Sequence, residues 1–219
     1  MIILNYIKEI SLIFGIFIGI YSINSWRREH IGKRKIELAE DTLSLFYEAK
    51  DAILHIRHVL SYGNETSDVE RLEGEPDKNY EARKKASIVF IRYNTHQELF
   101  SKIHALRYRF MAQIGKDKAK PFEDLRNVIN EILTSARMLS ILWAKERFRT
   151  EEQEQKHWDE VEQFEKVFWD HMDANDPINP KIDAIITEIE TTCNSVISGT
   201  LPLYRSIAGK LSRKKLTNN

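Results

Sequence analysis

Seven histidines, one cysteine and a set of Glu-rich stretches are the residue types here that could hold a metal or move a proton. His55 and His58 stand three apart, and His96 and His104 eight apart, so each pair shares one face of a helix. A di-metal centre in a helical bundle needs two Glu-x-x-His motifs and two further Glu. One such motif occurs, Glu154-Gln-Lys-His157, inside an acidic stretch that reads as solvated. There is no His-Glu-x-x-His, and one cysteine can build neither a Cys-cluster zinc site nor an intramolecular disulfide. The histidines are therefore expected at the surface or in the core, with no metal or cofactor. Gly-x-Ser-x-Gly and a phosphate-cradling Gly loop are both missing. Cys193 falls on the apolar face of its segment, where a thiol is usually an inert small hydrophobe. The Glu151-Glu152 pair lies in a charged run that reads as a solvated face. The pattern predicts no catalytic site, no small-molecule substrate and no enzyme.

Charge offers a second kind of chemistry. The 33 Lys and Arg balance 33 Asp and Glu, so the chain as a whole has no polyanion-binding bias. Along the chain the charges segregate. Lys78 to Lys120 carries eleven basic residues against three acidic ones, a net of +8. Glu151 to Asp176 carries ten acidic residues against two basic ones, a net of −8. The two segments are expected to neighbour each other, to present solvated faces, or to mediate self-association through complementary patches. Arg92, Lys102, Arg107 and Arg109, interleaved with Tyr108, form a possible basic surface of the kind single-strand binders use. Arg107 and Arg109 point about 200° apart on a helix, so they cannot share one groove. Nucleic acid is accordingly not the expected partner.

These residues must be positioned by helices. A chain of 219 residues with 42% hydrophobic and 30% charged residues is neither disordered throughout nor a polytopic membrane protein. Gly and Pro are missing from Lys33–Tyr62, Asp77–Ile114 and Phe122–Asp176, and none of these runs alternates with period two. Ile36, Ala39, Leu43, Phe46, Ala49, Ile53, Ile56 and Leu60 recur at steps of three and four. The second run carries Ala82, Ala86, Val89, Tyr93, Phe100, Ile103, Leu106 and Phe110, and Gly115 supplies a stop. The third opens at Pro121 and carries Phe122, Leu125, Val128, Ile129, Ile132, Ala136, Leu139 and Leu142. Thr150-Glu-Glu-Gln153 resembles a capping box and predicts a new helix, with Trp158, Val161, Phe164 and Phe168 inward. Asp176-Pro-Ile-Asn-Pro180 is a rigid connector in which Asn179 is the expected cap of the last main helix. Tyr62 to Asn79 is polar and expected to be a mobile loop.

The first thirty residues differ. Ile10 to Ile23 holds no charge, and Ile2 to Trp26 is 25 residues, enough at about 1.5 Å per residue to cross a ~30 Å hydrocarbon core. No small-residue cleavage site follows, which argues against a cleaved signal peptide. Instead come Trp26, suited to the headgroup boundary, and a basic flank of Arg27, Arg28, Lys33, Arg34 and Lys35 that resists translocation. The expectation is a transmembrane signal anchor over 1–30, with an in-plane helix as the alternative. The orientation is N-terminus out, with the bulk of the chain on the cytoplasmic side of the inner membrane. Ser11, Gly15 and Gly19 fall at i, i+4 and i+8, a small-residue face that could pair two such helices.

The predicted fold is all-α: the anchor, an antiparallel four- to five-helix bundle over 31–209, and a basic disordered tail over 210–219. The stretches Trp26 to Glu40, Phe100 to Phe110 (FSKIHALRYRF) and Asp176-Pro-Ile-Asn-Pro180 resemble those of uncharacterised bacterial proteins with one N-terminal transmembrane helix and a helical cytoplasmic region. That resemblance implies no activity and no functional residue. The expected role is a membrane-tethered interaction protein, an adaptor or oligomeric scaffold, whose partners are the lipid bilayer and another protein or a second copy. A nucleic-acid-sensing membrane protein, with bacterial defence as a setting, is the alternative, and a metalloenzyme bundle a third.

Overall fold

A computed structural model describes residues 2–61, 64–170 and 175–199, with side chains described from residue 14 onward. The fold is a helical bundle, all-α, with six helices and no strand among the described residues. They are α1 (Ile2–Arg57), α2 (Asp77–Thr95), α3 (Gln97–Gln113), α4 (Lys120–Leu142), α5 (Glu151–Phe168) and α6 (Asn179–Gly199). The expected tail over 210–219 lies outside the described residues.

The chain divides into two compact units, Met1–Asp41 with Cys193–Asn219, and Thr42–Thr192. In the first, Leu38, Ala39 and Cys193 are buried, whereas every described side chain from Phe14 to His30 is exposed. Gly32 does not break α1, which runs through it as helix. Among the described residues no helix is long and apolar enough to cross a membrane. The side chains of residues 2–13, about half of the expected span, are outside that description.

The second unit buries the apolar stripes that the sequence lays out. Phe46 of α1 meets Phe122 of α4 edge-on at 4.9 Å, and Phe122 meets Phe110 of α3 at 5.1 Å. The stripe of α4 is buried from Phe122 to Leu142, as its 3.6-residue period requires. The remaining contacts show directions. Tyr47 bonds Glu190 and Lys50 bonds Asp183, so rising numbers on α1 meet falling numbers on α6. Lys78 pairs with Glu146, Lys85 lies over Trp143, and Arg137 lies over Phe90. Thus α2 and α4 are also antiparallel.

Four local expectations are corrected. The run Asp77–Ile114 is two helices, not one, because the chain turns at His96 (φ −107°, ψ 8°). Asn94 and Thr95 are weak helix formers, and Thr95 turns its hydroxyl back to the carbonyl of Arg92. The polar loop after α1 is tethered, not loose. Tyr80 bonds the carbonyl of Val69, Arg83 that of Glu70, and Arg83 also grips the Glu75 carboxylate. On α5 the buried positions are His157, Val161 and Phe168, while Trp158 is 49% exposed. On a helix of 3.6 residues per turn His157, Phe168 and Val161 fall within about 40° of one another, whereas Trp158 lies about 60° to the other side of Val161. Finally, Asp176 and not Asn179 caps α6: its Oδ1 accepts from the amides of Ile178 and Asn179, each at 2.8 Å.

Two stops behave as read. Thr150 Oγ1 accepts from the Gln153 amide at 3.2 Å, and Gln153 reaches back to the Arg149 amide at 3.3 Å. Gly115 follows α3 at φ 155°, where an added Cβ would meet Asp117 Oδ1 at 2.8 Å.

Candidate functional site

The four residues of the possible basic surface do not form one surface. Arg92 is 3% exposed, and its guanidinium is consumed inside the bundle. Nη1 donates to the carbonyl of His58 at 2.6 Å, and Nη2 to that of Leu60 at 2.8 Å. Nη2 and Nε also hold the Glu65 carboxylate, at 2.8 and 3.4 Å. Arg92 is thus a cap on the C-terminal end of α1, where carbonyls without helical partners favour a cation. Lys102 is exposed and pairs with Glu98 one helical turn away. Arg109 is exposed. Among the described residues no ion pair joins Lys78–Lys120 to Glu151–Asp176. The basic side chains pair instead with Glu65, Glu75, Glu98, Asp117, Glu123, Asp124 and Glu146. Glu75, Glu98, Asp117 and Asp124 are near their partners in the chain, whereas Glu65, Glu123 and Glu146 come from other elements.

Arg107 stands apart. It is half-buried, its Nε is shielded from solvent without a hydrogen-bond partner, and the nearest carboxylate, Glu123, lies 3.7 Å from Nη2. That distance is too long for a hydrogen bond. Arg107 lines a cavity of about 350 Å³ between the end of α2, α3 and α4. Its floor is apolar, made by Phe100, Ile103, Phe122, Leu125 and Ile129. Its polar lining comes from Ser101, His104, Arg107, Arg126 and Asn130, with no carboxylate among the lining residues. Two arginines beside an apolar floor can receive an anion that carries a hydrophobic body.

The histidines meet differently from their helical spacing. His55 does not pair with His58; its Nδ1 lies 3.0 Å from Nε2 of His96, at the α2–α3 turn. Burial, then the neighbouring His96 and Arg92, hold the His55 pKa below its ordinary value. His104 packs edge-on to Tyr108 at 5.7 Å. His157 is buried, with its ring 4.8 Å from Phe148, so of the Glu154–His157 pair only Glu154 is solvated as expected. Glu154 contacts Trp158 Nε1 instead, at 3.5 Å. Among the described residues no group of three or more His, Cys, Asp or Glu is placed to hold a metal. Burial pushes the Cys193 thiol up to about 12, which keeps it protonated and unreactive at neutral pH.

Sequence reasoning missed Arg57, the largest fully buried side chain. Its Nη1 and Nη2 take both oxygens of Asp176, at 3.0 and 2.7 Å. Nη1 also donates to Asn179 Oδ1 at 3.0 Å. Nε donates to the carbonyl of Val167, and Nη2 to those of Lys166 and Trp169, between 2.8 and 2.9 Å. Arg57 therefore closes the C-terminal end of α5 and fixes the connector into α6. The available signal was its register: Arg57 follows Ile53 by four on the apolar face, where a solvated arginine does not belong.

Of the expected anchor flank, Trp26, Arg27, Arg28, Lys33 and Arg34 are exposed and Lys35 is half-buried. Trp26 stacks on His30 at 5.6 Å. Gly15 and Gly19 lie in α1, and a Cβ at either would meet nothing within 4 Å. The Ser11 side chain lies outside the described residues. Comparison with protein-family models, with curated proteins and with solved structures finds no match to this chain.

Proposed function

We propose that the chain is a membrane-tethered helical interaction protein, an adaptor or scaffold held at the inner face of the cytoplasmic membrane by α1. The observation that carries the reading is the Phe14–Trp26 stretch. Phe14, Ile16, Phe17, Ile18, Ile20, Tyr21, Ile23 and Trp26 are all more than half exposed, and successive positions 16, 17 and 18 point to different sides. A helix apolar all round needs an apolar medium. Upstream, Ile2 to Ile7 and Ile10 to Leu12 extend the sequence to the length a bilayer core requires, with Asn5 within it and Lys8 and Glu9 near the outer interface, where Lys8 can snorkel outward. Downstream, the Arg27–Lys35 flank sets the orientation. The bundle of Thr42–Thr192 then faces the cytoplasm as the interacting part, and no catalytic role belongs to the reading.

The test is fractionation of the full chain with a reporter fused after Asn219. The chain should stay with membranes through alkaline carbonate extraction, and the reporter should be active in the cytoplasm. Release into the soluble fraction, or a reporter that matures outside, would refute the tethering.

A further inference from the structure

Arg107 presents an unmet demand. Arginine offers carboxylates and phosphates the paired donors of its Nε–Nη2 edge, and two parallel hydrogen bonds form there when the acceptor fits. On that edge Nε has no partner, and Glu123 stands 3.7 Å from Nη2. A desolvated donor without an acceptor is costly, so a fold retains one where something else supplies the acceptor. Arg107 lines the 350 Å³ cavity, at the small end of pockets that hold organic molecules. Arg126 adds a second positive charge to the lining, and Ser101 and Asn130 add neutral hydrogen-bonding groups. No lining residue is acidic, and the Glu123 carboxylate, 3.7 Å from Nη2 of Arg107, must turn away as an anion enters. Phe100, Phe122 and Leu125, all less than 9% exposed, give the floor a surface that a bare inorganic anion cannot use.

We infer that this cavity is a binding site for an amphiphilic anion, a carboxylate or phosphate head carried on an apolar body. The head lies against Arg107 with Arg126 beside it, and the body lies on the Phe100–Phe122 floor. The inference goes beyond the tethering reading and does not depend on it, because every lining residue lies within the Thr42–Thr192 unit. Either the bilayer, as a fatty acyl anion, or the soluble pool, as a short hydrophobic acid or phosphate ester, can supply such a molecule.

The test is calorimetric titration of the full chain in non-ionic detergent with four probes. They are 4-phenylbutyrate, 4-phenylbutyl phosphate, neutral 4-phenylbutanol and inorganic phosphate. The two amphiphilic anions should bind one per chain. The alcohol and inorganic phosphate should bind about tenfold more weakly or worse, since each lacks half of the recognition. Arg107→Gln should cost about tenfold or more in affinity for both anions, with helicity retained. Ser101→Trp, which fills the cavity from an exposed position, should abolish binding by a separate route. Equal affinity for the alcohol would overturn the site. So would affinity that survives both substitutions, or no binding of either anion. Mass spectrometry of organic anions released from the purified chain separates the sources. An acyl anion recovered with the natural chain but not with Arg107→Gln assigns the bilayer, and a short acid or ester assigns the soluble pool. Equal recovery of an anion from both proteins would reject this cavity as its site.

Discussion

Two buried arginines organise this molecule, and they do so by the same physics. Arg92 closes the C-terminal end of α1, and Arg57, the last residue of α1, closes that of α5. Each takes helix-end carbonyls and one carboxylate, Glu65 or Asp176. A buried ion pair gains little over a well-packed apolar replacement, but removing one member leaves an uncompensated charge. Arg57→Ala should therefore destabilise the protein by about 3–5 kcal/mol. The exposed Arg109→Ala should change stability by no more than about 0.5 kcal/mol. Urea unfolding of the full chain in detergent measures both. Asp176 adds a pH signature. Burial alone would raise its pKa, but the hydrogen bonds from Arg57 and from the amides of Asn179 and Ile178 outweigh it and hold the carboxyl below its usual range. The folded state thus binds this proton less readily than the unfolded chain. The stabilisation is complete above the ordinary Asp value near 3.9, and is lost as pH falls through the lower folded value. Asp176→Asn should weaken the protein at neutral pH and remove that part of the acid limb, read from unfolding midpoints across pH 2–5.

At the scale of elements, α5 is the helix whose fate rests most on local chemistry. Its first turn carries Glu151, Glu152 and Glu154, which suit the positive end of a helix dipole, and Thr150 caps it. Thr150→Ala should cost about 1 kcal/mol, measured by the same unfolding experiment, and Thr150→Ser should restore most of it. This cap was legible because N-capping is decided within four residues. So was α4, whose ten buried side chains follow one continuous stripe. The break at His96 was not legible in the same way. Its local cause, Asn94-Thr95, is a weak signal, and the contact of His96 with His55 across 41 positions has no trace in periodicity. The register of α5 was misread because Trp158 outranks His157 in hydrophobicity, although His157 shares the face of Val161. The cavity was half legible. Arg107 stood out in a basic run, but its apolar floor comes from α3 and α4 together, and only the fold joins them.

The whole molecule is electrically neutral, and its structure makes the neutrality local. Of the eleven basic residues between Lys78 and Lys120, seven have a carboxylate within ion-pair reach among the described residues. Lys84, Lys85, Arg109 and Lys116 do not, and two of these cations lie over aromatic rings, Lys84 on Tyr80 and Lys85 on Trp143. A single-strand binder needs a continuous cationic track with exposed aromatic platforms. Here Arg92 is internal, Lys102 is paired, and Arg107 belongs to a small cavity. Four unpaired cations would give a salt slope of at most about −3, since single-strand binding releases roughly 0.7 counterions per neutralised phosphate. They also lie on two helices and a turn, so one strand could not reach all four without bending around the bundle. The full chain in detergent should accordingly show no measurable affinity for a fluorescent poly-dT oligonucleotide at physiological salt, by anisotropy. A tight complex that weakens steeply between about 50 and 200 mM salt would mean that many cations act together. The local pairing of this segment would then have to open on binding, and nucleic-acid sensing would replace protein interaction as the leading function.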